Sequence, residues 1–254
     1  MKLMTYNLLN GAPETLDDVI SVVNSVNPDF LTINEANTFV ENGEKILKDF
    51  AQKIGFKNYK LALSGEYDYH VAAFSKPPFK TVEEIKPLMR AGILSVVDTV
   101  LGEMSVVSTH LTPYTEDLRL PEIELITKTQ SKYKNKVLMG DMNSLSEYDN
   151  YNPEMIKSFN EIQTRKFTTS GKLRFDAIKK ILSRDYLDSG FELKQNSVFT
   201  APTDVNEFNA HSNMRLDYIF ISKPLRRYLK SYEVIKNEQT KKASDHFPVV
   251  IELK

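Results

Sequence analysis

The chain has no cysteine and no tryptophan among its 254 residues, and its charges nearly cancel, 33 basic against 34 acidic for a formal net charge of -1. Without cysteine there is no disulfide, no thiolate nucleophile and no cysteine-ligated zinc or iron–sulfur site, so only oxygen and imidazole ligands remain for a metal. A balanced charge argues against the broad positive field of a tight, non-specific DNA binder and somewhat favours a small or locally read substrate. No apolar run approaches the roughly 18 residues of a membrane span. Met1-Lys2 leads straight into Leu3-Met4-Thr5-Tyr6 with no signal-like apolar core, and the expectation is a soluble cytoplasmic protein without a transmembrane segment. No repeat, low-complexity tract or linker interrupts the chain, and it carries no signal for an oligomeric state. With 41% hydrophobic residues it fits one large domain, 1–254, burying roughly 70–75% of its unfolded surface.

What is present is an uneven alternation of helical and strand-like segments. Leu16, Val19, Ile20, Val23 and Val26 recur at helical spacing over 14–26, and Pro28 follows as a stop. Phe30-Leu31-Thr32-Ile33 reads as a short buried strand that delivers Asn34 and Glu35, and Ile46, Leu47, Phe50 and Ile54 mark a second helix. From Tyr59 to about Leu111 the apolar runs are short and rich in valine and isoleucine, with a hairpin turn expected at Leu101-Gly102-Glu103. Leu118, Leu120, Ile123, Leu125 and Ile126 predict a helix with Pro121 in its first turn or else at a kink. Val137-Leu138-Met139 is a buried strand, and 153–192 return to helical periodicity through Phe175, Ile178, Ile181 and Leu182. Ser197–Thr200, Leu216–Ile221, Ser231–Val234 and Phe247–Leu253 read as strands. Such an order predicts stacked mixed sheets covered by helices, not a parallel βαβ series.

Six short polar signatures each open or close one of these runs: Thr5-Tyr6-Asn7, Asn34-Glu35, Thr109-His110-Leu111, Gly140-Asp141-Met142-Asn143, Arg215-Leu216-Asp217-Tyr218 and Ser244-Asp245-His246. Phosphoester hydrolysis needs a hard cation on oxygen ligands, a base for water and donors for charge developing on phosphorus, and the six segments supply all three. Glu35, behind a buried strand, needs a cation or a donor if ionised; a lone acid there is more often solvated, but its five companions favour the metal. Asp141 and Asn143 share one side of an extended segment, so the carboxylate can orient and deprotonate water while the amide donates to a phosphate oxygen. An Asx turn closing a strand is the bland alternative. Asp217 can fix the tautomer of His246 and raise its pKa, favouring an imidazolium that faces phosphate. Asp245 either completes a metal shell or hydrogen-bonds backbone amides, and His110 is either a satisfied core histidine or a phosphate-facing donor.

With these residues in this order the chain resembles the endonuclease/exonuclease/phosphatase family, which includes DNase I-like nucleases, neutral sphingomyelinases, inositol-phosphate 5-phosphatases and deadenylases. The resemblance runs from Tyr6 to Val249. It implies a four-layer α/β/β/α sandwich with two central mixed β-sheets and the site at one end of the strands. It also implies that Asn7 and Glu35 form the metal site, with Asp245 as a further ligand, and that the ion is Mg2+, with Mn2+ as the alternative. Asp141 becomes the water-orienting base, Asn143 and His110 contact the scissile phosphate, and Asp217 holds His246 against the pentacovalent transition state. Of the remaining candidates, Arg119 is read as a structural salt bridge, Arg215 is divided between substrate phosphate and packing, and His211 and His70 between pocket and exposed loop.

The chain departs from the family where Asn34 replaces a common glutamine and where Leu9 stands two residues after Asn7, with Asn10 the nearest substitute for a second metal position. Thr109-His110-Leu111 and the lack of tryptophan lead away from abasic-site repair. The favoured function is therefore a Mg2+-dependent phosphoesterase cleaving a small phosphodiester, a phospholipid or a sugar phosphate. A nuclease acting on DNA or RNA is the alternative, with Tyr59, Tyr67 and Tyr69 as bases' stacking partners on single strands. A catalytically silent binding module on the same fold is the third reading.

Overall fold

Two six-stranded mixed sheets lie face to face at the centre of the molecule. In the computed structural model, which describes residues 1–205 and 211–254, the first sheet runs β13 (Leu229–Val234), β14 (Val249–Leu253), β1 (Lys2–Asn7), β2 (Phe30–Asn34), β4 (Val71–Ser75) and β3 (Asn58–Ala62). The second runs β11 (Tyr186–Asp188), β12 (Asp217–Ser222), β8 (Asn135–Asp141), β7 (Gly102–His110), β6 (Ala91–Thr99) and β5 (Phe79–Glu84). β1 pairs with β2, and β7 with β8, in parallel, so these four strands end at the same edge of the sandwich.

Helices cover both outer faces. α1 (Leu16–Val26) and α2 (Glu41–Lys53) bury Val19, Val23, Leu47 and Phe50 against Leu31 and Phe74 of the first sheet. α3 (Glu116–Gln130) and α5 (Asp176–Leu182) bury Ile123, Ile126, Ile178 and Ile181 against Val107 and Leu138 of the second. Leu3, Phe30 and Val71 meet Ile93, Val106 and Val137 between the sheets. Central strands are thus apolar on both faces, which is why they read as continuous apolar runs. The result is the expected four-layer α/β/β/α sandwich. No helix among the described residues is long and apolar enough to cross a membrane.

Several local expectations fail for identifiable reasons. The stretch 153–192 is broken into α4 (Glu161–Phe167), a small ribbon of β9 (Thr168–Thr169) and β10 (Lys172–Leu173), α5, β11 and α6 (Ser189–Glu192). Ser170 and Gly171 adopt φ of +51° and +71° at the ribbon's turn, the paired positive values that tight hairpins require. Ser197–Thr200 forms no strand; Ala201 makes a single bridge to Met214, and the Thr200 hydroxyl accepts the Leu216 and Asp217 N–H groups. The β6–β7 turn is Val100-Leu101, with Gly102 already pairing with Thr99. Pro121 lies in the second turn of α3, because Thr115 caps the helix ahead of its first periodic residue. α7 (Thr240–Ala243) leads into the last strand.

At the edge where the parallel pairs end, the two sheets are tied together by polar bonds. Asn34 donates Nδ2 to the Thr109 carbonyl at 2.9 Å and accepts the Asp141 N–H at 2.9 Å. Nearby, the Thr32 and Ser108 hydroxyls meet at 2.5 Å. Gly140 permits this approach: its φ is +144°, and a Cβ there would sit 1.8 Å from the Thr109 carbonyl oxygen. Gly140→Ala is therefore expected to destabilise the protein by about 3 kcal/mol or more, read by urea unfolding; a cost under about 1 kcal/mol would contradict the close approach.

Candidate active site

The sheet register assembles the site. His110 pairs with Asp141 across β7 and β8, and Asp141 pairs with Asp217 across β8 and β12, so three polar residues stand in a row at the end of one sheet. Across the interface, Asn7 is the register partner of Asn34 at the ends of β1 and β2. The Ser244 hydroxyl donates to the Asn7 carbonyl at 2.7 Å and so carries Asp245 and His246 to the same edge.

Glu35 leaves β2 with φ of +57°, a conformation that costs a non-glycine residue on the order of 1 kcal/mol or more. Its carboxylate accepts the Asn7 amide at 3.4 Å and the Asn10 backbone N–H at 3.0 Å. The second bond depends on a left-handed run after β1, with Leu9, Asn10 and Ala12 at φ of 47°, 56° and 50°. Asn10 thus contributes its backbone N–H to Glu35.

Asp141 is buried at the centre. The Asn7 amide also donates to it at 3.2 Å, and the Asn143 N–H donates to it at 2.8 Å. That last bond is the Asx turn weighed from the sequence, and it coexists with a placement beside His110. The Asn143 amide donates to the Leu111 carbonyl at 2.8 Å and lies 2.9 Å from His110 Nε2, which is itself 3.4 Å from Asp141. Burial pushes the Asp141 carboxyl up, but His110, His246 and Lys166 outweigh it and hold the group far below the usual carboxylate range. Asp141 is thus ionised at any working pH.

His246 donates Nδ1–H to Asp217 at 2.7 Å, and both side chains are buried. Burial alone would lower the His246 pKa; Asp217, Asp245 and Asp141 raise it to about 10, which makes an imidazolium the resting form. Asp245 lies 3.3 Å from His211 Nε2, and the His211 ring packs edge-on against His246 with centroids 4.9 Å apart. Burial also raises the Asp245 carboxyl, but His246 and His211 bring it below its ordinary value. His211 is therefore not a solvent-exposed loop residue. Burial lowers its pKa, so it is the neutral partner of this pair. The adjoining Phe208-Asn209-Ala210 lie outside the described residues.

The sequence assigned no role to two contributors, Asn34 of the Asn34-Glu35 signature and Lys166. Asn34 looked like the polar end of a strand, and only the stacking of the sheets reveals its clamp. Lys166 sits on α4, whose start is set by an Asn160–Gln163 capping box. Its Arg165-Lys166 pair reads as an ordinary solvated charge run, yet Lys166 is 6% exposed. Burial and Arg119 lower its ammonium to about 8 against the pull of Asp141, Glu35 and Asp245. It makes no ion pair among the described residues.

Other candidates resolve differently. Arg215 makes four hydrogen bonds to Asp149 and Asp188 and is buried, so it is committed to the scaffold and the substrate-phosphate reading is withdrawn. Arg119 is structural as expected, binding Glu116 and the carbonyls of Thr112 and Lys166. His70 is buried and accepts the Ser64 N–H, which closes the β3–β4 loop. Tyr59 packs on Phe74 in the core cluster beneath α2 and offers no stacking face at the site.

The endonuclease/exonuclease/phosphatase family model matches residues 4–246. No curated protein matches the sequence. Among solved structures, an AP endonuclease from Archaeoglobus fulgidus aligns with a TM-score of 0.74 at 22% identity, over 100% of this chain and 99% of that one. A 3′-5′ exonuclease from Neisseria meningitidis aligns with a TM-score of 0.72 at 20% identity over 100% of both chains. A 3′ phosphatase from Neisseria bound to product DNA hairpin gives 0.72 at 19% identity, over 100% of this chain and 99% of that one. At these identities the likeness concerns the fold.

His246 ionises near pH 10 in the fold and near 6.5 when unperturbed. Its charge therefore stabilises the fold fully below about pH 6.5, and that contribution is lost as pH rises to about 10. Lys166, lowered from 10.5 to about 8, acts in the opposite sense above pH 8, so the informative quantity is a difference between proteins. In urea unfolding of metal-free protein, Asp217→Asn is expected to flatten the loss of stability between pH 6.5 and 10, removing on the order of a few kcal/mol at the acid end. Parallel pH profiles for variant and parent would contradict the charged pair.

Proposed function

The chain belongs to the endonuclease/exonuclease/phosphatase family and is a phosphoester-hydrolysing enzyme, and on that premise we propose that it is a phosphodiesterase dependent on Mg2+ or Mn2+. The observation that carries the reading is the opposition of an ionised Asp141 to an Asp217-held His246 imidazolium, with Asn143 and His110 beside them. A carboxylate that accepts from water thus faces donors suited to the charge that develops on phosphorus.

The residues fit a hard divalent cation. Glu35 and Asp245 offer carboxylates, a set with no sulfur and the donors that Mg2+ and Mn2+ prefer; the Asn7 amide points its Nδ2 at Glu35 and Asp141 while its Oδ1 accepts the Leu9 N–H at 3.1 Å, so it would have to turn to give the ion its oxygen. Asp141, Asp217 and His246, and likewise His211, Asp245 and His246, also bring one ligand atom each within 4.8 Å. An imidazolium has no lone pair for a cation, so we assign the ion to the Asn7–Glu35 end, with Asp245 as the further ligand. When bound, it supplies Lewis-acid polarisation of a phosphoryl oxygen and a lowered pKa for water.

The chain's own residues do the rest. Asp141 orients the attacking water for in-line approach and takes its proton. His246 faces the developing negative charge, and Asp217 keeps its ring charged and aimed. Asn143 and His110 contact the non-bridging phosphate oxygens. Lys166, buried and without an ion-pair partner among the described residues, supplies a further positive charge that a phosphate can answer. Small phosphodiesters, phospholipids and sugar phosphates suit the near-neutral chain; the second reading, a nuclease, is supported by the likeness to an AP endonuclease and to a 3′ phosphatase bound to product DNA hairpin.

Chromogenic phosphodiester and phosphomonoester substrates, with and without Mg2+ or Mn2+, test the proposal. Metal-dependent diester cleavage is expected, with Asp141→Asn about 1,000-fold slower or worse, and a Glu35→Ala protein that keeps full activity in Mg2+ would sink it. Lys166→Met is expected to lose about 10–100-fold in kcat/KM while still folding, as judged by its unfolding transition. Silence toward both ester types under both ions would favour a binding module.

A further inference from the structure

We propose that His211, Asp245 and His246 form a second metal site, one that takes Zn2+ and so switches the enzyme off. It is separate from the Mg2+ or Mn2+ position at Glu35 except for Asp245, which the two share. The inhibitory role rests on the phosphodiesterase reading above; the zinc site itself does not.

Two imidazoles and a carboxylate are a common three-ligand set for zinc, with the fourth position left to water or substrate. His211 Nε2 and an Asp245 carboxylate oxygen stand 3.3 Å apart. Neighbouring ligands on a tetrahedral zinc with bonds of about 2.0–2.1 Å lie about 3.3–3.4 Å from one another, whereas an octahedral Mg2+ with similar bonds draws its neighbours to about 2.9 Å. His246 brings a third ligand atom to within 4.8 Å of these two, and its ring meets that of His211 edge-on. The His211 and Asp245 side chains keep 10% and 11% of their surface in solvent, which leaves an ion a way in.

The outer supports of such a site are also in place. Nδ1 of His246 donates to Asp217, which leaves Nε2 for an ion, and a carboxylate behind a ligating histidine is the arrangement that orients imidazoles on zinc. Thr203 donates its N–H to the Asp245 carbonyl at 3.0 Å and its hydroxyl to the Ser244 carbonyl at 2.5 Å. Ser212, next to His211, accepts the Gln163 amide at 3.4 Å. The segments that carry the ligands are thus held in place by bonds of their own before any ion arrives.

Charge and donor type separate the two sites. Mg2+ and Mn2+ are weak partners for nitrogen and leave the His246 imidazolium its proton. Zn2+ binds imidazole far more tightly and takes the place of that proton, which leaves to solvent. The buried carboxylates of Asp141, Asp217 and Asp245 offset the dication. Once the site is filled, His246 no longer presents a hydrogen-bond donor to the charge on phosphorus, and Asp245 is drawn away from the catalytic ion.

The test titrates the full metal-free chain with Zn2+ by calorimetry and with Co2+ as a spectroscopic stand-in. Co2+ is expected to give the intense visible absorption of a tetrahedral ion, abolished by Zn2+ and untouched by excess Mg2+. His211→Ala is expected to weaken Zn2+ binding about 10–100-fold and to remove the absorption. His211→Asn, which keeps a donor for Asp245 but no imidazole, is expected to do the same, each variant keeping its unfolding transition. In Mg2+, added Zn2+ is expected to lower diester kcat/KM about tenfold or more in the parent and far less in either variant. A six-coordinate Co2+ spectrum, Zn2+ binding indifferent to His211, or equal inhibition of parent and variants would overturn the zinc site. His211-dependent Zn2+ binding by a protein that cleaves no diester would support the site and sink the phosphodiesterase reading. Diester cleavage with Zn2+ binding indifferent to His211 would overturn the site alone.

Discussion

The Asn34 side-chain amide clamps the two halves of the site through the backbone, alongside the Asn7–Asp141 and His246–Asp217 side-chain bonds that also cross between them. Asn34 ends a strand of the first sheet and bonds to two backbone groups of the second, the Thr109 carbonyl and the Asp141 N–H. Asn7, Glu35, Asp245 and His246 travel with the first sheet; His110, Asp141, Asn143 and Asp217 travel with the second. Neither sheet contains a working set. The apolar interior between them supplies most of the attraction but is non-directional, whereas the two Asn34 hydrogen bonds specify how the strand ends align. Gly140 is the steric condition for that alignment, since any side chain there would meet the Thr109 carbonyl.

Around this seam the protein encloses more charge than a stable core would choose. Asp141, Asp217 and Asp245 are all buried, as is Lys166. Desolvation opposes every one of those charges, and they persist because each sits in the field of an opposite one: Asp217 beside His246, Asp141 beside His110 and within reach of His246 and Lys166. The same exclusion of water strengthens any interaction with a bound phosphate. Arg215 shows the contrasting outcome, where two carboxylates satisfy one guanidinium so fully that it serves only to bind the segments around Asp149 and Asp188 to β12.

Much of this was legible in the residues because it depends on neighbours along the chain. Apolar runs marked the central strands, helical spacing marked α1 and α2, and the six polar signatures stood where strands begin or end. Errors came where a local pattern had a competitor. Ser170-Gly171 interrupts a helical period, and Thr115 starts α3 before its periodic residues do. Arg215 and Asp217 share a strand face by spacing, but spacing says nothing of the two carboxylates, from distant segments, that claim the arginine.

The amino-acid sequence by itself determined the family, the kinds of groups available and the exclusion of sulfur ligands, since these follow from residue identity and short-range order. Only the tertiary structure decided which groups meet. The clamp at Asn34, the enclosed Lys166 and the inward placement of His211 each depend on contacts between segments distant in sequence, where burial and the field of other charges set the chemistry of a side chain.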